Sequence, residues 1–228
     1  MENKRTFFQH YRDEDYEAVC DFLIELNRQD KTHVNWNWAR FEWMAEHPEF
    51  NKSTRTSIGL WRSEDKIVGA AIYDMYFGEA FCGTMPEYEA LYPEILDYAY
   101  RELKDGSGLA AAINAENTAE IRAAEETGFG RTDQKETVMA LSLDRNFSAA
   151  LPDGLRLRET DQVADRRALE WLFWQGFDHG DDREAFNRAK ALGAKTAYVI
   201  SDLPFYEKLG FETVQLYTFY RKASSSEE

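Results

Sequence analysis

The stretch that decides the fold is Thr118–Leu143, TAEIRAAEETGFGRTDQKETVMALSL, because its pattern returns near the C-terminus as Leu203–Arg221, LPFYEKLGFETVQLYTFYR. Both segments predict a short helix, a Gly-Phe stop and a strand. The glycine suits a helix C-terminus, where a left-handed residue is favourable, and the phenylalanine after it can pack back on the last turn. A strand-like run precedes each helix, LAAAIN at Leu109–Asn114 and KTAYVIS at Lys195–Ser201. The chain is therefore predicted to contain two related units.

The composition is typical of a globular protein, since 43% of the 228 residues are hydrophobic and 14% are aromatic. This length permits one large domain or two small ones. The net charge of −15 argues against nucleic-acid binding, which needs a basic face. An acidic balance favours solubility, and it leaves cationic partners as the alternative interpretation.

The cysteines and the apolar runs indicate a cytoplasmic protein. Cys20 and Cys82 lie in apolar runs without metal-ligand spacing, so we expect no disulfide framework and a reducing compartment. No apolar run approaches the length of a membrane span, and the N-terminus has no secretory signal pattern. We therefore expect neither a membrane nor a nucleic acid as a partner.

Hydrophobic periodicity predicts strands and helices in a regular order before the repeated pattern. In that order the segments are a strand at Phe7–Tyr11, helices over 16–29 and 34–50, strands at Thr56–Trp61 and Lys66–Phe77, a further strand in GEAFCGT, and a helix at Glu87–Leu103. Pro93 is expected to kink the last helix or to mark a later start. The second helix gathers several large apolar side chains, which we interpret as core packing rather than a substrate cage: Trp36, Phe41, Trp43 and Met44.

The repeated pattern resembles the C-terminal half of the GNAT superfamily, the acyl-CoA-dependent N-acetyltransferases. The shared motif is a strand, then N-x-x-x-x-x-x-[Y or A]-E-x-x-G-F, then a strand. Asn117 and Gly128-Phe129 keep this spacing in the first copy, where Ala124 replaces the usual tyrosine, and the second copy keeps the tyrosine as Tyr206. The resemblance implies an α/β (α+β) fold, with a mixed, mostly antiparallel sheet flanked by helices and followed by a partial second unit.

The second unit is predicted to be shortened. We place a complete unit at residues 1–146, a partial one at 153–222 and a disordered tail at 223–228, with the boundary in the loop-like DRNFSAALPDG. After a strand and a helix, DDREAFNRAKALGAK leads directly to the late strand, without a middle hairpin or a separate central helix. A late strand without neighbours leaves unpaired backbone groups, so we expect it to pair with the first unit or with a second chain.

The resemblance implies acetyl-CoA as a co-substrate, but the expected phosphate-binding motif is missing. Such enzymes bind the pyrophosphate with backbone N–H groups at the start of the central helix, usually within [QR]-x-x-G-x-[GA]. The first unit has CGTMPEYEALY there, in which Pro86 lacks a donor and Glu87 and Glu89 repel phosphate. The second unit lacks the region, so we expect weak or no binding of acetyl-CoA.

The candidate site residues follow from the same resemblance. Tyr206 corresponds to the proton donor for the departing thiolate, with packing under the sheet as the alternative. Asp74 and Glu79, near the ends of the middle strands, are the candidates for a general base. Asn117 and Asn114 are the candidate cofactor contacts, although Asn117 can instead cap the following helix.

No metal site is expected, because the four histidines are scattered and lack metal spacing. They are His10, His33, His47 and His179. The HGDD stretch that begins at His179 is interpreted as a solvated turn and helix cap.

Two functional hypotheses remain. The first is an N-acetyltransferase that transfers an acetyl group from acetyl-CoA to a small-molecule or peptide amine. The second is a catalytically degenerate GNAT-like module for binding or dimerisation that does not bind acetyl-CoA. A homodimer is one form that such a module can take.

Overall fold

The computed structural model describes residues 5–144 and 190–224, which divide into two compact units. One unit consists of residues 5–138 and 215–224, and the other of residues 139–144 and 190–214. The predicted unit boundaries at 146 and 153 lie outside the described residues, as do the strand and helix predicted at the start of the second copy. The predicted division of the chain therefore stays a prediction.

The described residues form eight strands and five α-helices. The strands are β1 (Thr6–His10), β2 (Gly59–Ser63), β3 (Lys66–Tyr73), β4 (Glu79–Thr84), β5 (Gly108–Asn114), β6 (Gly130–Ser142), β7 (Thr196–Ile200) and β8 (Glu212–Ala223). The helices are α1 (Tyr16–Gln29), α2 (Trp38–Glu46), α3 (Tyr92–Glu102), α4 (Thr118–Glu126) and α5 (Pro204–Leu209). None of these helices is long and apolar enough to cross a membrane.

In the first unit the strands follow the order β1-β2-β3-β4-β5-β8-β6. The neighbours from β1 to β4 are antiparallel, β4 and β5 are parallel, and β5 and β8 are again antiparallel. Helix α1 contacts β3, and α3 contacts β2, β3, β4 and β5. This is the predicted mixed, mostly antiparallel sheet flanked by helices.

Helix α1 forms because its apolar residues share one face. Val19, Phe22, Leu23 and Leu26 recur at the spacing of an α-helix, and all four are buried. Helix α3 begins later than predicted, at Tyr92, because Pro93 is tolerated only in a first turn. A 3₁₀ helix at Pro86–Leu91 precedes it.

The large apolar residues of the second predicted helix divide between core and surface. Trp36, Phe41 and Met44 are buried, as expected for core packing. Trp43 is 55% exposed and Trp38 is 45% exposed. Core packing is therefore confirmed for three of the four predicted residues, and Trp43 contributes to the surface.

Both Gly-Phe stops have the predicted geometry. Gly128 and Gly210 adopt left-handed backbone angles, with φ of 88° and 94°. The amide of the following residue, Phe129 or Phe211, donates to a carbonyl in the last helical turn at 2.9 or 3.0 Å. Both phenylalanines are buried. This is the six-to-one hydrogen bond of a Schellman motif, which strongly favours glycine at the left-handed position.

The two copies of the pattern exchange their last strands. The first copy is β5-α4-β6 and the second is β7-α5-β8. In the first unit β8 pairs with β5 over seven residues, from Gly108↔Ala223 to Asn114↔Tyr217. In the second unit β7 neighbours β6, and the amide of Leu143 donates to Lys195 O at 2.8 Å. The late strand of the second copy is thus paired within the same chain.

We expect Thr218→Pro to disrupt the first unit, because Thr218 lies in β8 between β5 and β6 and is only 3% exposed. Proline removes a ladder donor inside a sheet and should lower the free energy of unfolding by about 3 kcal/mol or more. The matched control, Thr218→Ala, keeps the amide and should cost only about 1 kcal/mol. Urea unfolding followed by circular dichroism measures both, and equal losses would contradict the strand exchange.

Candidate functional site

The candidate site is the place where the parallel strands β4 and β5 part. Their register contains only Glu79↔Ala110 and Ala80↔Ala111, although both strands continue beyond these pairs. We call the space between residues 81–84 of β4 and 112–114 of β5 the β4–β5 gap. The resemblance to the GNAT superfamily implies that the pyrophosphate binds after β4 and that a residue after β5 makes a further contact with the cofactor. A cofactor held in that way must therefore cross the gap, at the carboxyl ends of parallel strands where ligands commonly bind.

The two sides of β4 face different helices. A methyl group at Gly83 would lie 3.1 Å from Leu26 of α1, whereas one at Gly69 would lie 2.7 Å from Ile95 of α3. On the adjacent strand β3, Ala70 pairs with Gly83 and Ala71 pairs with Cys82. Ala71 lies on the same face of β3 as Gly69, two residues before it. Because side chains alternate along a strand, Gly83 faces α1 and Cys82 faces α3.

A buried ion pair passes through the gap. His33, in the connection from α1 to α2, lies against the α1 side of β4, where a methyl group at Gly83 would be 3.3 Å from its Cδ2. Its Nε2 is 2.9 Å from Oε1 of Glu120 on α4. Glu120 also forms a hydrogen bond with Tyr92, which belongs to α3. The pair therefore joins groups on opposite sides of the sheet, which is possible only where the two strands have parted.

A second carboxylate holds the same imidazole. Nδ1 of His33 is 3.2 Å from Oδ2 of Asp30. The other oxygen of Asp30 accepts hydrogen bonds from the amide and hydroxyl of Thr32, at 2.8 and 2.7 Å. Nδ2 of Asn117 donates in turn to the Thr32 hydroxyl at 3.4 Å. The loop from α1 to α2 is thereby tied to the N-terminus of α4.

These contacts fix the charge of His33. Burial alone would lower its pKa, but the charge of Glu120 and hydrogen bonds to Asp30 and Glu120 raise the pKa of His33 to about 10. The hydrogen bond from His33 lowers the pKa of Asp30. Burial raises the pKa of Cys82, and burial together with the charge of Glu120 raises that of Tyr92. At neutral pH the gap therefore holds an imidazolium between two carboxylates, beside a protonated thiol and a neutral phenol.

Little room remains around the pair. A cavity of about 20 Å³ is lined by Thr32, Trp36, Phe81 and Ala112, among others. Such a cavity holds about one water molecule. The chain's own side chains fill this part of the gap, so the residues present do not fit a thioester arm.

Several backbone positions of the segment after β4 cannot donate to a diphosphate. Pro86 and Pro93 have no amide hydrogen. The amides of Met85, Tyr88 and Tyr92 donate to carbonyl groups of the protein itself. The first turn of α3 therefore follows a 3₁₀ helix directly, instead of opening toward a ligand.

The charge of this segment is also unfavourable for phosphate. Glu87 and Glu89 lie in the first turn of the 3₁₀ helix, and Glu94 lies in the first turn of α3. Oε1 of Glu94 accepts a hydrogen bond from Nε1 of Trp61 at 2.7 Å. Carboxylates at these positions occupy the favourable end of the helix dipole that an anionic ligand would otherwise use.

Asp74, one of the predicted bases, is engaged with Arg40. Its Oδ2 lies 3.2 and 2.9 Å from Nε and Nη2 of that guanidinium, and its Oδ1 accepts the amide of Met75 at 2.8 Å. Arg40 also contacts Oε2 of Glu136 at 3.1 Å and lies over the ring of Phe81 at 4.5 Å. Asp74 thus positions an arginine beside β4, and a role as a base stays a prediction.

The other predicted site residues have structural partners too. Glu79 accepts a hydrogen bond from Gln134, and Asn114 donates to Gln215 at 2.5 Å. Asn117 caps α4 by accepting the amide of Glu120 at 3.2 Å, which is the alternative that the sequence left open. Tyr206, in the second unit, packs on Phe211 with ring centroids 5.6 Å apart. Their proposed catalytic and cofactor roles stay predictions.

Sequence reasoning missed His33 and Glu120, which lie 87 positions apart. Neither belongs to a recognisable motif, and the only signal was a carboxylate in the first turn of α4. Both cysteines of the chain are free. Within residues 5–144 and 190–224, no group of three His, Cys, Asp or Glu side chains is arranged to hold a metal ion.

The fold has clear counterparts among solved structures. A GCN5-related N-acetyltransferase from Sphaerobacter thermophilus matches with a TM-score of 0.53 at 13% identity, covering 96% of this chain and 95% of that one. A tandem GNAT protein from the clavulanic acid biosynthesis pathway matches with a TM-score of 0.56 at 12% identity, covering 98% of this chain and 100% of that one. No family model and no curated protein matches the sequence.

The chain therefore has the GNAT fold, and the resemblance seen in the repeated Gly-Phe pattern is confirmed at the level of the fold. Because the match to the tandem protein covers 98% of this chain, the likeness in fold is not confined to the first copy of the pattern. The shortening of the second copy falls mostly on residues outside the described ranges and stays a prediction.

The stability that His33 contributes should depend on pH. Its folded-state pKa of about 10 lies above the ordinary value of 6.5, so the contribution is complete below pH 6.5 and is lost as the pH rises toward 10. Urea unfolding of the wild type and His33→Gln between pH 6 and 10 should give a difference that shrinks as the pH rises. His47→Gln, at a partly exposed position, serves as the control. A difference that does not change with pH would contradict the charged pair.

The two predicted bases should differ in their effect on stability. We expect Asp74→Asn to lower the free energy of unfolding by about 1.5 kcal/mol, because it weakens a charged acceptor of the partly buried Arg40. Glu79→Gln, the matched control, should change the free energy of unfolding by no more than about 0.5 kcal/mol, since Glu79 accepts its hydrogen bond from the exposed Gln134. Chemical denaturation at neutral pH measures both. If Glu79→Gln lowers the free energy of unfolding as much as Asp74→Asn does, the structural role given to the Asp74–Arg40 contact is wrong.

Proposed function

We propose that this protein is a GNAT-fold binding or dimerisation module whose first unit does not bind acetyl-CoA. The observation that carries the proposal is the segment after β4. It has Pro86 and Pro93 without amide hydrogens, and Glu87, Glu89 and Glu94 place negative charge where a diphosphate needs donors. Both features oppose the binding of an anion.

Exposed aromatic side chains support a binding role. Trp38 and Trp43 on α2 each leave about half of their surface in solvent, at 45% and 55%. Tryptophan is enriched at interfaces, because it buries a large apolar area at low entropic cost. Since the chain carries a net charge of −15, the partners we propose are a cationic peptide or small amine, or a second copy of the chain.

A second candidate is the N-acetyltransferase that the fold suggests, with acetyl-CoA as donor and an amine as acceptor. The parting of β4 and β5 favours it, because ligands commonly bind at the carboxyl ends of parallel strands that separate. Tyr206, on the helix that ends at the second Gly-Phe stop, would then be the proton donor.

Calorimetric titration with acetyl-CoA distinguishes the two candidates. We expect no saturable binding, because two prolines of the segment after β4 lack amide hydrogens and its glutamates repel an anion. A dissociation constant in the low micromolar range would overturn the proposed function. Size-exclusion chromatography with light scattering gives the mass of the protein in solution. It therefore tests whether the partner is a second copy of the chain.

If acetyl transfer to an amine is detected, Tyr206→Phe tests the second candidate. The variant should lower turnover at least about tenfold while leaving the affinity for acetyl-CoA nearly unchanged, because only the hydroxyl is lost. Tyr198→Phe is the matched control, since Tyr198 is a half-exposed tyrosine of the same unit. An unchanged rate in Tyr206→Phe would exclude Tyr206 as the acid.

A further inference from the structure

We propose that the β4–β5 gap is closed from within, because the His33–Glu120 pair occupies the space that a thioester arm would need. The inference deepens the proposed function and rests on it in part, since both concern acetyl-CoA. It uses different residues, however. The proposed function depends on the segment after β4, which disfavours phosphate. Closure of the gap depends on two side chains that meet between the strands.

The geometry requires the two strands to be apart for the pair to form. Adjacent strands of a sheet are about 4.8 Å apart and linked by hydrogen bonds, so no ion pair passes between them. Here the register ends at Ala80 and Ala111, and beyond it His33 on the α1 side meets Glu120 at 2.9 Å. The side chains of His33 and Glu120 are only 10% and 7% exposed. A ligand could enter this part of the gap only by displacing them.

Several further contacts hold the pair in place. Asp30 binds the second nitrogen of His33, Tyr92 binds Glu120, and Thr32 links the loop to Asn117 at the start of α4. The absence of a side chain at Gly83 lets the imidazole approach the strand. The site therefore has the character of a binding pocket for an imidazolium, and the chain supplies that cation itself.

The experiment uses S-acetylpantetheine, which carries the thioester arm but no phosphate, so the segment after β4 cannot explain its exclusion. We titrate it into the wild type and into the double variant His33→Ala/Glu120→Ala, and follow backbone amide signals of β4 and β5 by NMR. The double variant removes both charges together, because a single substitution would leave the other charge buried and unpaired. We expect no saturation in the wild type and saturable binding in the double variant, at least about tenfold tighter.

The matched control is Asp15→Ala/Arg62→Ala, which removes another buried ion pair of the first unit, with a contact of 2.6 Å. It should not gain binding, because this pair lies away from the gap. Two results would overturn the proposal. One is wild-type binding as tight as that of the double variant, and the other is a folded double variant that shows no binding.

A measurement on the wild type keeps the proposal testable if the double variant does not fold. Nitrogen-15 NMR of the imidazole, assigned against His33→Gln, should show both ring nitrogens protonated at pH 8 with slow hydrogen exchange. A neutral, rapidly exchanging ring would overturn closure of the gap. The outcomes also separate the two proposals. Tight binding of acetyl-CoA without binding of S-acetylpantetheine refutes the proposed function alone, whereas the reverse pattern refutes closure alone.

Discussion

The first unit is organised around the parting of β4 and β5. Two parallel strands that separate after two residue pairs leave backbone groups and volume between them, and both must be satisfied by something else. Here the loop from α1 to α2 and the start of α4 meet in that space. The meeting places a histidine against a strand glycine and a glutamate against the other side of the sheet. The charge, the burial and the shape of the candidate site all follow from this separation.

The exchange of strands between the two copies is the second constraint on the sheet. Where β5 has parted from β4, its only ladder partner in the described part of the first unit is β8. Strand β8 belongs to the second copy. The side of the gap that carries Ala112 and Asn114 is therefore held by residues about 100 positions later in the chain. Tyr217 illustrates the dependence, because its hydroxyl accepts the amide of Asn35, in the loop that closes the gap, at 3.2 Å.

Much of the fold could be predicted from local sequence signals. The Gly-Phe stops were visible because the left-handed angle at Gly128 and Gly210 demands a particular residue at a particular place. Likewise, Pro93 could be recognised as marking a later helix start. The strand order could not be read in the same way, because the pairing of β8 with β5 depends on contacts between distant segments. The long helix predicted over Glu87–Leu103 was too long at its start, since a 3₁₀ turn satisfies the same apolar spacing.

The candidate site was less predictable than the fold. Asn117 was recognised, since a cap lies next to the helix that it caps. His33 and Glu120 each look like ordinary polar residues until tertiary structure brings them together. The same holds for Arg40, which joins Asp74 to Glu136 from a third element. Residues whose role depends on one distant partner leave no periodic pattern, so local sequence reasoning has no signal to detect.

The energetics of the His33–Glu120 pair bear on which ligands the gap could admit. A buried ion pair gives up hydration that its mutual attraction only partly recovers, so apolar side chains of similar volume would often stabilise a fold as well. Removing one member is a different matter, because it leaves a charge in a site with almost no water. The pair thus makes partial opening of the gap costly, since any ligand that displaces one group must also satisfy the other. An uncharged thioester arm offers no charge to either group, whereas the imidazolium of His33 satisfies both Asp30 and Glu120.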